Sequence, residues 1–594
     1  MARGRTPLPS RSGSSRAAGL RHRDRRFAAW LAVIGLVAFA LRVAYFTQIQ
    51  GIPFFTVPVG DAASYLNWAW EIAGGDWMGS RSFYQAPAYP YFLAVILKVF
   101  GPNAWMIRLT QALLGSLACV ALGVAGARFF GRGAGLAAGA LMALYAPAVF
   151  FDGIVQKASL GLALTALLLL VLSGIHARET EGDRPRSRTI LAWLAAGLVL
   201  AILALTRENA LLWFAPVALW LWLHDRAAST RVRSAWAAAF VIGMAVVLLP
   251  VGLRNYRIDG TFAVTTVQAG PNFYIGNSEI ATGRYVPLVR GHESPPFERA
   301  DAEALASRAV GRALAPGEVS RFWWGRSWEF IRGHTGRWLV LLGYKGLLTW
   351  NAFEVPDTES YYLYTEWSGL LRLLGSVMHF GVLCPLAVMG VVLTWPRRRE
   401  LWLLYLLVLT VTVSVAAFYV VARYRYPLVP FVALFAGAGL ERAHAAFRTF
   451  QRRSIVPPLV AGFAAAVVVN WPINPERTLR AMAYQNLGIV LAQEGRLPEA
   501  TARFEQAVAM EPNSAEIHLN LGMTYAVQNR FAEAVEHYRA ALVLEPGLLH
   551  VNYNLGVALE ALGQPAEAAE QYRHALEVDP ADTDAQAALK RLVG

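Results

Sequence analysis

The chain is 594 residues long, with 56% apolar residues, 16% charged residues and a mean hydropathy of +0.38. That is more apolar sequence than one water-soluble core can bury, which excludes an ordinary globular protein and points to a chain that crosses a membrane repeatedly. The net charge of +14 is not a nucleic-acid signal: residues 476–594 carry a net −7, and the net +21 upstream falls largely in short connections between apolar stretches.

Residues 1–26 hold eight arginines among Ser, Gly and Pro and read as a disordered cytoplasmic tail. A first apolar span follows from Phe27 to Phe46, too long and too lacking in a small-residue cleavage site for a removable leader. Further spans are expected near 104–130, 132–150, 158–176, 189–206, 210–223, 235–253, 375–395, 401–422, 427–440 and 455–471, about eleven in all. Arginine-rich connections at Arg128 and Arg132, Arg178 to Arg188, Arg226 to Arg233, Arg397 to Arg399 and Arg442 to Arg453 then share the side of the N-terminal tail, as the positive-inside rule requires. The loops 47–103 and 254–374, the turns near Asp152, Arg207 to Asn209 and Arg423 to Tyr426, and the C-terminus fall on the opposite, extracytoplasmic side. Gly437-Ala438-Gly439 suits close helix packing. Cys119 and Cys384 lie inside apolar spans and suggest neither a disulfide framework nor a thiolate metal site.

After a linker at 473–480, residues 481–594 repeat with a period of 34. Asn486-Leu487-Gly488, Asn520-Leu521-Gly522 and Asn554-Leu555-Gly556 are in register, as are Ala500, Ala534 and Ala568, then Phe504, Tyr538 and Tyr572, and then Pro512, Pro546 and Pro580. Small residues where paired helices approach and a proline after the second helix define three tetratricopeptide repeats, with Asp582 to Val593 as a capping helix. Such a solenoid presents a groove for a peptide or protein partner. The expected fold is therefore all-α: a polytopic membrane bundle over 27–472, then an α-solenoid.

Between the first two spans lies VGDAASYLNWAWEIAGGDWMGSRSFYQAPAYPYF, residues 59–92. Its Asp61 stands just outside a membrane helix among Trp68, Trp70, Trp77 and Tyr84. A carboxylate there either accepts a proton from a substrate held at the membrane face or caps the helix that begins at Ala62.

Gly60-Asp61, Gly75-Asp76-Trp77, Phe83-Tyr84-Gln85-Ala86-Pro87, Arg108, Leu205-Thr206-Arg207, Pro250 to Tyr256 and Arg423-Tyr424-Arg425-Tyr426-Pro427 occur in an order that resembles the GT-C class of membrane glycosyltransferases. The resemblance is to the branch using polyprenyl-phosphate sugars, the protein O-mannosyltransferases and aminoarabinose transferases. It implies Asp61 as catalytic base, Arg207, Arg423 and Arg425 as ligands of the lipid-carried phosphate, and a polyprenyl-phosphate-linked sugar as donor. The acceptor would be a protein or glycolipid, with a protein partner held by the repeats.

Tyr84, Gln85, Arg108, Asp152 and Lys157 are further site candidates, although Arg108 and Arg254 to Arg257 also suit snorkelling anchors. Glu354, Asp357 and Glu359 either supply a further acid or lie in a solvated loop. The second acid common in the family is Ala62 here, which leaves a divalent metal open. No nucleotide, dinucleotide or zinc motif is present, and no nucleic-acid partner is expected. A bacterial inner membrane suits these features. A polymer or O-antigen-type ligase, or a non-enzymatic membrane scaffold for the repeats, remains the alternative.

Overall fold

The computed structural model describes residues 12–181, 186–225, 228–289, 292, 295–448 and 455–593. Among these, every regular element is helical. Residues 1–11 of the expected tail and parts of the arginine-rich connections, at 182–185, 226–227 and 449–454, lie outside the described residues. Residues 12–26, expected as disordered, instead continue the first helix, Ser12–Ile49.

Among the described residues, six helices are long and apolar enough to cross a membrane: Asp24–Ile49, Ala104–Phe129, Ala158–Arg178, Ser187–Ala204, Thr230–Asp259 and Gly369–Arg397. The pair Arg132–Leu144 and Ala146–Gly153, bent by 52°, makes a seventh if taken as one span. The other expected spans coincide with helices too short for that test, such as Phe214–His224, Trp402–Ala416 and Val456–Val469, or less apolar, as in Val429–Arg448. The count of eleven therefore exceeds what helix length supports.

The bundle is held by close backbone approach. A Cβ at Gly243 would collide with the Leu194 carbonyl, and side chains at Gly437 and Gly439 would collide with the helices carrying Ala134 and Leu386. Small residues admit this contact where lipid gives helices little hydrophobic reason to associate. Outward faces carry apolar side chains such as Leu36, Val340 and Phe463, each more than two-thirds exposed, as a bilayer-facing surface requires.

The segment 254–374 is far from an open loop. It folds into Ala269–Gly276, Pro295–Val310, Pro316–Gly333, Thr335–Trp350 and Tyr361–Trp367. Lys345, fully buried, ties these helices to the bundle by donating to the Gly276 carbonyl, Asn277 and the Phe418 carbonyl at 3.0, 3.1 and 2.9 Å.

The repeats form helix pairs Glu476–Gln493 with Leu497–Met510, Ala515–Val527 with Phe531–Leu544, and Val551–Ala561 with Pro565–Val578, covered by Thr583–Val593. Gly488, Gly522 and Gly556 lie against the rings of Phe504, Tyr538 and Tyr572, so the 34-residue period is also a packing period. The first repeat helix starts at Glu476, inside the expected linker, because Leu479 is buried with Phe353, Val355 and Val421.

Candidate active site

Gly60 has φ +53°, a conformation that favours glycine, and turns the chain into the helix Asp61–Ala73. Its bare Cα also admits Thr358, whose hydroxyl would lie 2.6 Å from any Cβ there. Asp61 is not the cap of this helix. Its two oxygens accept from Gln85 Nε2, at 2.8 Å, and from the Arg423 guanidinium. Arg423 also meets Asp357 at 3.0 Å, so one guanidinium bridges two carboxylates from distant parts of the chain. Burial pushes both carboxyls up. Arg423 outweighs this at Asp61, which is held below the usual carboxylate range, whereas Asp357 ends above it.

Two cavities meet at this triad, sharing Asp61, Asp357, Thr358 and Arg423. One has largely apolar walls including Val59, Phe150, Phe151 and Val155, with Glu354 and Glu359 also lining it. The other is polar and includes Gln85, Lys157, Gln268, Asn272, Glu298 and Tyr424. Burial lowers the Lys157 ammonium to about 8 despite Glu208 at 3.9 Å. Burial raises Glu298 to about 7 although Tyr285 donates a hydrogen bond to it.

Arg207 lies over the Tyr424 ring, 5.6 Å from its centroid and 4% exposed. None of its three guanidinium nitrogens has a hydrogen-bond partner among the described residues. A buried cation left unsatisfied beside Arg423 and near Lys157 is costly unless an anion completes it.

Other expected site residues stand elsewhere. Arg425 lines neither cavity; it pairs with Glu354 at 2.5 Å and donates to the Asn351 carbonyl. Asp152 pairs with Arg42 at 2.6 Å inside the bundle, both fully buried. Arg108 is no snorkelling anchor. It is buried, donates to the Gly153 carbonyl at 2.7 Å and lies 3.8 Å above Phe55. Tyr84 packs under Arg299. Arg254 pins the Met78 carbonyl. The acids Glu354, Asp357 and Glu359 are not a solvated loop. Residues 351–360 are clamped by Asn351 donating to the Val469 carbonyl at 3.0 Å and by Asn486 of the first repeat donating to the Thr358 carbonyl at 2.9 Å.

Sequence reasoning passed over Gln268, Asn272 and Glu298, which carry no motif; their gathering is tertiary. Among the described residues no group of three His, Cys, Asp or Glu side chains could hold a metal ion. The carboxylates that face each other share a guanidinium instead, so this donor set does not fit a divalent cation.

The helices and site define a membrane-embedded protein with an acid and cation cluster at the end of its bundle where a tetratricopeptide solenoid docks. Residues 84–252 match the dolichyl-phosphate-mannose-protein mannosyltransferase family, and residues 486–548 and 528–592 match tetratricopeptide repeat families. The GT-C resemblance and the repeats thus both stand. Among solved structures, the apo oligosaccharyltransferase of Archaeoglobus fulgidus is similar over 78% of this chain and 56% of its own, at 13% identity and a TM-score of 0.43. The same enzyme tethered with an acceptor peptide is similar over 77% of this chain and 57% of its own, also at 13% identity and a TM-score of 0.43. The Arabidopsis OM64 tetratricopeptide domain is similar over 20% of this chain and 97% of its own, at 21% identity and a TM-score of 0.20. No curated protein sequence matches the chain.

Proposed function

We propose that the protein transfers a monosaccharide from a polyprenyl-phosphate donor to an acceptor hydroxyl, presented by a protein, on the extracytoplasmic face of a bacterial inner membrane. The observation that carries this is Arg207, a buried guanidinium with no hydrogen-bond partner among the described residues, next to Arg423 and Lys157, in a chain whose residues 84–252 match the mannosyltransferase family. The arginine-rich connections favour a cytoplasmic N-terminus, which puts Asp61, one span further on, on the extracytoplasmic side, and the first repeat meets that side where Asn486 donates to the Thr358 carbonyl.

The lipid phosphate binds between Arg207, Lys157 and Arg423 while its chain stays in the bilayer. Drawing the Arg423 charge toward phosphate weakens its hold on Asp61, whose burial then raises its proton affinity. The acceptor oxygen attacks C1 opposite the phosphate as its proton passes to Asp61. The new C1–O bond forms as the old one breaks, and polyprenyl phosphate leaves with the electron pair. One displacement inverts the anomeric carbon. The cations stabilise charge where it accumulates, on the leaving phosphate. Arg425 takes no part, since Glu354 holds it.

In membranes holding the full chain and a radiolabelled polyprenyl-phosphate sugar, Arg207→Ala should cut transfer by roughly 10²–10³-fold at unchanged protein level, and Arg207→Lys by less. Equal transfer by Arg207→Ala and wild type would overturn the reading.

A further inference from the structure

Gly60 and Thr358 lie against each other, and the residues beside them on their two segments are carboxylates, Asp61 and Asp357. Both reach the same atom. Arg423 Nη1 donates to Asp61 Oδ2 and lies 3.0 Å from Asp357 Oδ2, while Arg423 Nε has no hydrogen-bond partner among the described residues. One nitrogen thus serves two acids, although a guanidinium can grip a single carboxylate with two of its donors.

The backbone sets this meeting. The Ala422 N–H, next to Arg423, donates to the Val355 carbonyl at 3.0 Å, two residues from Asp357, and Asn486 of the first repeat holds the Thr358 carbonyl. Asp357 is therefore carried to Arg423 by contacts that do not involve Asp61.

We infer that Asp357 is a positioning residue for the base: by sharing Arg423 it withholds part of that charge from Asp61 and keeps Asp61 able to accept the proton of the incoming hydroxyl. This rests on the transfer proposed above and adds to it a residue that acts through Asp61.

Electrostatics gives the sign. A buried carboxylate alone with a guanidinium stays ionised and is a poor proton acceptor. A second carboxylate on the same guanidinium opposes this twice, by taking part of the cation and by repelling the first negative charge. When a bound phosphate draws the Arg423 charge, two carboxylates face each other and one must take a proton. The acceptor hydroxyl supplies it. Its oxygen keeps the electron pair for the new C1–O bond, and the proton passes to water after polyprenyl phosphate has left. The coupling also shows at Asp357, whose carboxyl burial, and then Asp61, raise above the ordinary range against the pull of Arg423.

Lys157, Tyr65, Tyr424 and Glu298 share the polar cavity with Asp61, and Arg207 lies over the Tyr424 ring. Glu354 and Glu359 line the apolar cavity. All of these remain when Asp357 alone is replaced, so a difference from wild type reads Asp357.

Two measurements on the detergent-solubilised full chain separate this role from a structural one. The first is the pH profile of kcat with a radiolabelled polyprenyl-phosphate sugar. The second is pH-titrated infrared difference spectroscopy, in which Asp61→Asn identifies the Asp61 carboxyl band. Asp357→Asn keeps the size and loses the charge. It should move the acid limb and the Asp61 titration together to lower pH, by about one unit or more, and lower kcat at neutral pH roughly three- to tenfold with little change in donor KM. Asp357→Glu should return both toward wild type.

In wild type itself the Asp61 band should titrate over a broader pH range than a lone carboxyl, as a coupled pair does. A lone-carboxyl curve there, or an Asp61 midpoint that stays put or rises in Asp357→Asn, overturns the inference whatever happens to kcat. If the infrared shift is found while no acceptor is ever glycosylated, the coupling stands and the transferase reading fails.

Discussion

Removing Leu479 and Asn486 together tests whether the first repeat helix builds the active site or merely hangs beside it. Leu479 is buried among Phe353, Val355 and Val421, and truncating it to Ala costs about 2–3 kcal/mol at an interface that can partly relax. Asn486 donates to the Thr358 carbonyl at 2.9 Å, a bond worth about 1 kcal/mol. Leu479→Ala with Asn486→Ala therefore loosens residues 353–358 by about 3–4 kcal/mol, which is roughly 10²–10³-fold in their opening equilibrium. Hydrogen exchange reads this directly at Val355 and Thr358, and at Ala422, whose N–H donates to the Val355 carbonyl at 3.0 Å. Transfer to a small soluble acceptor, which has no use for a peptide groove, should fall as Asp357 loses its place beside Arg423. Unchanged protection at 353–358 and kcat within about twofold of wild type would refute the argument and reduce the repeats to a tether.

Asp61→Asn should abolish transfer by roughly 10²–10⁴-fold, with donor binding retained, as expected when a proton acceptor is lost rather than a binding group; full activity in the variant would exclude Asp61 as base. The Glu298 carboxyl, raised from its ordinary 4.5 to about 7, holds its proton more tightly in the folded chain than in the unfolded one. Its contribution to stability is therefore full below about pH 4.5 and is lost as pH rises through about 7. Intrinsic-rate-corrected exchange in helix Pro295–Val310 should be faster at pH 8 than at pH 6, and Glu298→Gln should remove the difference; an unchanged profile in that variant would assign the titration to another group.

The elements with a period were readable from the chain alone. Apolar runs marked the membrane helices, and the 34-residue register marked the repeats down to the glycine and aromatic pairs that now face each other. Asp61 and Gln85 were readable because both lie in one short segment. What the sequence could not show were pairings across hundreds of residues: Arg423 reaches Asp61 over 362 positions, and Asp357 joins them only in the folded chain.

Two signals were nevertheless present and passed over. Arg423 and Arg425 are two residues apart in a helical turn, and such neighbours do not share a face, so only one could reach the cavity. Arg42 sits within the first span, where a charge announces a partner. That partner is Asp152, which sequence position alone had suggested for the site.

Arg42 and Asp152 meet inside the bundle, yet 110 residues separate them along the chain. At roughly 5–20 residues per second, the first helix is made about 5–20 s before its counter-ion exists. A lone guanidinium at membrane depth costs ~2.5–3.5 kcal/mol or more, a penalty that the apolar remainder of the first helix must carry until the bent pair with Asp152 is made. The order of synthesis thus leaves the first helix at its least stable early, and the ion pair relieves it.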